Sequence, residues 1–126
     1  MKLKKVISNL SLEQKVSLLS GFDNWHTPDI KKYGIPKIKM SDGPNGVRGD
    51  SSTKQSSACF PSPILLGATW NEKLIKEIGS ATGEEALFKD VDVLLAPTIN
   101  LHRHPLGGRH FECYSEDPIL TSKIAC

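Results

Sequence analysis

Residues 71–97 constrain the fold more than any other stretch. Asn71 stands where a helix cap is wanted, and Leu74, Ile75, Ile78, Ala81, Ala86 and Leu87 recur at helical spacing from Glu72 to Lys89. Gly83 interrupts that pattern at a cost of about 1 kcal/mol relative to alanine, which a helix of this length tolerates. Val91 to Ala96, VDVLLA, follows as a nearly continuous apolar run stopped by Pro97. Such a run reads as a strand buried on both faces, as in a parallel sheet. Upstream, Lys37 to Met40 alternates polar and apolar as a short strand does. Strand, loop, helix and strand make a βαβ unit, and the right-handed crossover rule sets both strand ends on one rim.

Two loop-forming motifs lie just beyond those strand ends. The first, SDGPNGVRGD at 41–50, holds three glycines and a proline, which excludes regular structure. It begins with Asp42 at the carboxyl end of the expected strand. The second, PLGGRHFECYSEDP, spans Pro105 to Pro118. Gly107 and Gly108 accept positive φ and would let main chain approach a ligand or another strand. Arg109 adds five donors in a planar fork. Asp117 followed by Pro118 reads as an N-cap and a first-turn proline, so the loop enters a helix there. In parallel α/β sheets ligands gather at this rim. On residue types alone, Asp42 fits a ligand contact or an Asx-turn. Arg109 fits a presented donor or a structural partner of Glu112 or Glu116.

The rest of the chain is read more coarsely. Ser11 to Gln14 is a capping-box pattern opening a short amphipathic helix that Gly21 closes. Phe22 to Lys32 reads as loop with a helical turn near Ile30. Ser51 to Ser57, small and polar, reads as the mobile loop. Ile64 to Leu66 is apolar and long enough for a short strand.

Composition narrows the function. The chain has 126 residues, 38% apolar and 24% charged, which fits one small domain or part of a larger one. Sixteen basic against 14 acidic side chains give +2, too balanced a charge to favour nucleic acid or an anionic membrane. No run of 18 apolar residues spans a membrane. The start, MKLKKVISNLSLEQK, has no h-region, so a cytoplasmic setting is expected. Cys59, Cys113 and Cys126, odd in number and far apart, fit reduced thiols.

SDGPNGVRG, with CFP, GEEA and LLAPTINLHRHPLGGRHFECYSEDP after it and WHT before it, resembles the beginning of a glycoside hydrolase family 3 enzyme of the β-glucosidase type. The resemblance runs from about Leu10 to Cys126. It implies an α/β fold, the first portion of a partial (β/α)8 (TIM-like) barrel. Residues 1–126 would form the N-terminal part of that barrel domain, without the rest of the barrel or the α/β sandwich domain. It implies hydrolysis of terminal non-reducing β-D-glucosyl or related residues with retention, through a glycosyl-enzyme intermediate. Asp42 and Arg109 would bind the terminal sugar, and Arg48 would touch that sugar or orient Asp42. A carboxylate accepts from two vicinal hydroxyls with charge-assisted bonds. The substrate would be a small β-glycoside or oligosaccharide, with no cofactor.

Retaining hydrolysis needs two carboxylates about 5 Å apart. The family's nucleophile lies in an SDW-type motif, absent here, as is its Lys-His pair. No catalytic residue is therefore expected in this chain; nucleophile and acid/base would lie beyond Cys126, and the chain alone would be inactive and prone to aggregate. Two other readings stand: an inert carbohydrate-binding or regulatory remnant using Asp42 and Arg109, and a metal protein using His102, His104 and His110. The last lacks an evident fourth ligand. A β-N-acetylglucosaminidase reading lacks the histidine-containing loop of that branch.

Overall fold

A computed structural model describes residues 3–49 and 55–126, which divide into two compact units, 1–40 and 41–126. The expected loop at Ser51 to Ser57 lies largely outside the described residues, as does Asp50.

The first unit opens with a helix that the sequence reading lacked, α1 (Leu3–Asn9), which buries Val6. α2 (Leu12–Ser17) starts as expected: the Ser11 hydroxyl accepts from the Gln14 N–H at 3.2 Å, and the Gln14 side chain accepts from the Ser11 N–H at 3.0 Å. It stops at Ser17, with turns carrying the chain on to Ser20, and buries no residue. The Asp23 carboxylate then accepts from the N–H groups of Trp25 and His26, both at 2.8 Å, and this Asx-type turn faces Trp25 toward Met40. The Trp25 carbonyl accepts from the Met40 N–H at 2.7 Å, and His26 bridges Lys39 antiparallel. The helical turn near Ile30 is a 3-10 turn at Lys31–Tyr33, closed by Gly34 at φ +68°.

The second unit holds the sheet. Strand β1 is Met40–Asp42, displaced from the expected 37–40, and β2 is Val93–Leu95. The two pair side by side and parallel across an intervening helical crossover. The βαβ expectation therefore holds in these two strands. The expectation that β2 is buried on both faces does not: Val93 is 42% and Leu95 50% exposed. An apolar run reports what a strand can bury, and here only Leu94, between them, is even partly covered.

Between the strands run α3 (Pro63–Ala68) and α4 (Glu72–Phe88). The strand expected at Ile64 to Leu66 is thus helix. Pro63 at the first helical position sets a φ already suited to the turn, and that outweighs the β-tendency of a short apolar run. Gly67 of α3 permits close contact, since a Cβ there would lie 2.3 Å from the Tyr114 carbonyl oxygen. α4 begins where expected, with the Asn71 side chain accepting from the Leu74 N–H at 3.1 Å. Its last apolar residues, Leu87 and Phe88, are each 76% exposed, so the inward stripe is narrower than the sequence pattern. The core joins Leu66, Ile75, Tyr114 and Ile124, with Ile78 and Leu120 packed against them. α5 (Pro118–Ala125) supplies Ile124 and starts on the expected cap, Asp117 accepting from the Ile119 N–H at 2.7 Å.

Gly83 meets open space on α4, with no atom within 4 Å of a built Cβ. Gly83→Ala should therefore stabilise the helix by about 1 kcal/mol through backbone entropy alone. Far-ultraviolet circular dichroism of a peptide spanning residues 70–90 should show more helix in the alanine form; an equal or weaker signal would refute this.

Candidate functional site

The 41–49 loop is held at its neck and along its length. The Arg48 N–H donates to the Asp42 carbonyl at 2.9 Å, and the Gly49 N–H donates to the buried Ser41 hydroxyl at 3.0 Å. Gly46 adopts φ +132°, a backbone region closed to most L-residues, and a Cβ there would fall 2.3 Å from the Ala58 carbonyl oxygen. Phe60 donates its N–H to the Asn45 carbonyl at 2.7 Å and packs over the same turn. Val47 is wholly buried. Asp42 and Arg48 are left facing outward, with 3.6 Å between Arg48 Nη1 and Asp42 Oδ2. At that separation, with both side chains exposed, the pair contributes little stability but orients a carboxylate.

The second motif is built by two segments running side by side. Thr98 bridges Cys113 in parallel fashion, and the His102 N–H donates to the Ser115 carbonyl at 3.2 Å. His102 Nε2 lies 2.9 Å from the His110 carbonyl and 3.0 Å from that of Cys113, while its ring stacks on His110 at 4.9 Å. This imidazole fastens the 3-10 turn at His110–Glu112. Neither Gly107 nor Gly108 takes the positive φ that the sequence suggested. Gly107 serves instead to admit the His110 ring, whose Nε2 would lie 2.1 Å from a Cβ.

Arg109 precedes that turn. Its Nε donates to Glu112 Oε1, a contact anticipated among the two acidic partners weighed for it. Glu112 is buried, and its other oxygen faces the Thr98 hydroxyl at 3.5 Å. The hydrogen bond from Arg109 holds the Glu112 carboxyl below the ordinary carboxylate range against the effect of burial. The same bond and charge raise the Arg109 guanidinium, and the Asp42 carboxylate adds to that rise. The Arg109 side chain is still 81% exposed, with its plane fixed on one edge by Glu112.

Of the three sequence-selected residues, the structure pairs Asp42 with Arg48, while Arg109 is paired with Glu112. Each pairing leaves an exposed guanidinium beside a carboxylate, and the exposed Asp42 carboxylate can accept from vicinal hydroxyls. Glu112, taken from sequence as a structural charge, is the group that aims Arg109. The three histidines do not converge. His102 is spent on carbonyls, His104 Nδ1 accepts from the Leu106 N–H at 3.2 Å, and no metal-competent group of three His, Cys, Asp or Glu occurs among the described residues. All three cysteines are free thiols; Cys113 is buried, and burial pushes its thiol up. A cleft of about 640 Å³ lies between Gly43, Pro44 and Leu94 on one side and Ile75, Ile78 and Gly79 of α4 on the other. It is a gap in the helix–sheet packing and does not include Asp42, Arg48 or Arg109.

Residues 5–126 match the family model described as the glycosyl hydrolase family 3 N terminal domain. The chain belongs to glycosyl hydrolase family 3. Among relatives of this family, a β-glucosidase of Rhizobium radiobacter is 54% identical over 122 residues, covering 95% of this chain. Beta-glucosidase B of Emericella nidulans is 50% identical over 124 residues, covering 98%. The chain spans 15% of the length of each. In three dimensions it is similar to the Kluyveromyces marxianus β-glucosidase crystallised with glucose, with a TM-score of 0.88 and 41% identity across 97% of this chain and 15% of that one. It is also similar to β-glucosidase 3B of Thermotoga neapolitana in complex with glucose, at TM-score 0.82 and 38% identity across 99% of this chain and 20% of that one. Among the described residues no helix is long and apolar enough to cross a membrane.

Proposed function

We propose that this family 3 chain supplies the terminal-sugar subsite of a β-glucosidase acting on small β-glycosides or oligosaccharides. Asp42, Arg109 and Arg48 are its contacts. The observation that carries the reading is the exposed Asp42 carboxylate at the end of β1, 3.6 Å from the Arg48 guanidinium, with a second exposed guanidinium, Arg109, held by Glu112 on the segment beyond β2. Asp42 accepts from adjacent hydroxyls; Arg109 donates to a ring hydroxyl; Arg48 keeps the Asp42 carboxylate turned outward. The two strands then count as the first of a (β/α)8 barrel whose N-terminal part is residues 1–126. Hydrolysis with retention requires a nucleophile and an acid/base from further chain, because the motifs that carry them do not occur among these residues. The supporting argument is similarity to relatives named β-glucosidases, two of them crystallised with glucose.

The test begins with the intact mass of the polypeptide in its native source. A mass several times 13.8 kDa is expected. In that full-length protein Asp42→Ala should reduce kcat/KM on an aryl β-glucoside by about 100-fold, since a charged acceptor serving two hydroxyls is removed. The released sugar should first appear as the β-anomer by NMR. A native mass of 13.8 kDa would point instead to the inert sugar-binding remnant. Unchanged kinetics in Asp42→Ala would overturn the subsite.

A further inference from the structure

One buried ion pair lies outside the outward-facing site and touches it from behind. Glu85 and Lys89 stand one turn apart at the end of α4, with 2.8 Å between Lys89 Nζ and Glu85 Oε1. The lysine side chain is 1% exposed and the glutamate 14%. Burying such a pair is costly unless the remaining donors and acceptors are used. Here they are used on backbone. Lys89 Nζ donates to the Val47 carbonyl at 2.8 Å, and the Val47 N–H donates to Glu85 Oε2 at 3.4 Å. The pair thus takes both polar groups of one peptide residue, as a neighbouring strand would. Glu85 Oε1 also accepts from the Ala58 N–H at 2.9 Å, and Lys89 Nζ reaches the Ser57 hydroxyl. A Cβ built on Gly49 would lie 3.4 Å from Lys89 Cδ, so the lysine stem runs close beneath the loop. Burial alone would raise the Glu85 carboxyl, but the bonds from Lys89, Ala58 and Val47 outweigh it and hold it ionised.

We propose that Glu85 and Lys89 are positioning residues for the sugar subsite, clamping Val47 so that Asp42 and Arg48 keep the spacing that binds glucose. The inference rests on the subsite reading above. Val47 adjoins Arg48, whose N–H closes the loop onto Asp42. A loop freed at Val47 keeps the Arg48 N–H on Asp42 and the Gly49 N–H on Ser41, but loses the two bonds that hold the residue before Arg48, so Arg48 is held less tightly. The chain-level cause is the helix: the i, i+4 spacing puts the carboxylate and the ammonium on the same face, against one peptide.

The experiment uses the full-length polypeptide and the double variant Glu85→Gln/Lys89→Met, which removes both charges and leaves neither buried alone. Lys89→Arg serves as the conservative variant, and Asp42→Ala as the reference. Two readouts are taken at a temperature well below unfolding: hydrogen exchange of the peptide covering residues 43–49, and inhibition of aryl β-glucoside hydrolysis by glucose. The double variant should exchange faster at 43–49, with KM and the glucose inhibition constant raised about 10-fold and kcat changed less, the scale set by misplacing a binding group. Lys89→Arg should recover part of the glucose affinity. If Asp42→Ala loses glucose affinity while the double variant keeps it, or keeps slow exchange at 43–49, the positioning role is overturned. If Asp42→Ala itself keeps its glucose affinity, the subsite reading is overturned, and the positioning role falls with it.

Discussion

Arg109→Ala is expected to lower kcat/KM on an aryl β-glucoside by about 100-fold or more in the full-length protein. The reason is geometric. Arg109 is exposed at its tip, yet one edge of its guanidinium is fixed by the buried Glu112 carboxylate. A donor held in place before the ligand arrives loses little freedom on binding, so its bonds count almost fully. Arg109→Lys should rescue poorly, because an ammonium cannot bond Glu112 along one edge and a sugar hydroxyl along the other. Glu112→Gln keeps an acceptor but removes the charge, and should raise KM about 10-fold with a smaller change in kcat. Acid should act in the same direction. Glu112 has its carboxyl lowered by Arg109, so its grip is complete above the ordinary carboxylate range and is lost as pH falls through the depressed value. Glucose affinity should therefore hold through mildly acidic pH and fall only as pH drops through that depressed value. Equal KM in wild type and Glu112→Gln across that range would refute the positioning of Arg109.

Local caps and the βαβ unit were more legible in the sequence than the packing around them. In the candidate site, the sequence reading set Asp42 and Arg109 on one rim from the βαβ topology; the structure puts Asp42 at the end of β1 beside Arg48 and holds Arg109 by Glu112, one of the two acidic partners weighed for it. The caps at Ser11, Asn71 and Asp117 were legible for a local reason: each side chain satisfies an N–H two or three residues on, with no help from distant chain. Failures came where distant contacts decide. Ile64 to Leu66 suits strand or helix equally; Pro63 favours the helix, and Leu66 is drawn into the core with Ile75, Tyr114 and Ile124. α1 was missed because a lysine-rich start with one buried valine gives almost no periodic signal. Gly107 was read for its backbone freedom, whereas its smallness serves the His110 ring. Glu85 and Lys89 show the limit most clearly. An i, i+4 acid–base pair on a helix is normally a solvated face, and nothing local marks this one as buried against Val47.

The 126-residue polypeptide produced by itself should self-associate and show no sharp unfolding transition. Its compact core in the second unit rests on Leu66, Ile75, Tyr114 and Ile124. Against that, Leu87, Phe88, Ile99, Phe111 and Ile119 of the same unit are each more than half exposed. A side chain of this kind contributes about 1.5–3 kcal/mol when fully buried, so five left out forgo on the order of 10 kcal/mol. That is comparable with the entire net stability of an ordinary domain, about 5–15 kcal/mol. The two strands add to the problem, since a two-stranded sheet is marginal in water and an unpaired strand edge is a template for another copy. The local bonds do not change the balance: the caps and the Glu85–Lys89 clamp hold loops and helix ends and cover none of these apolar side chains. Light scattering should report particles well above 13.8 kDa, and an apolar dye should bind strongly. A dispersed monomer that melts in one cooperative step would show that these side chains find cover within the chain itself, and would remove the argument that the subsite needs further polypeptide to stand.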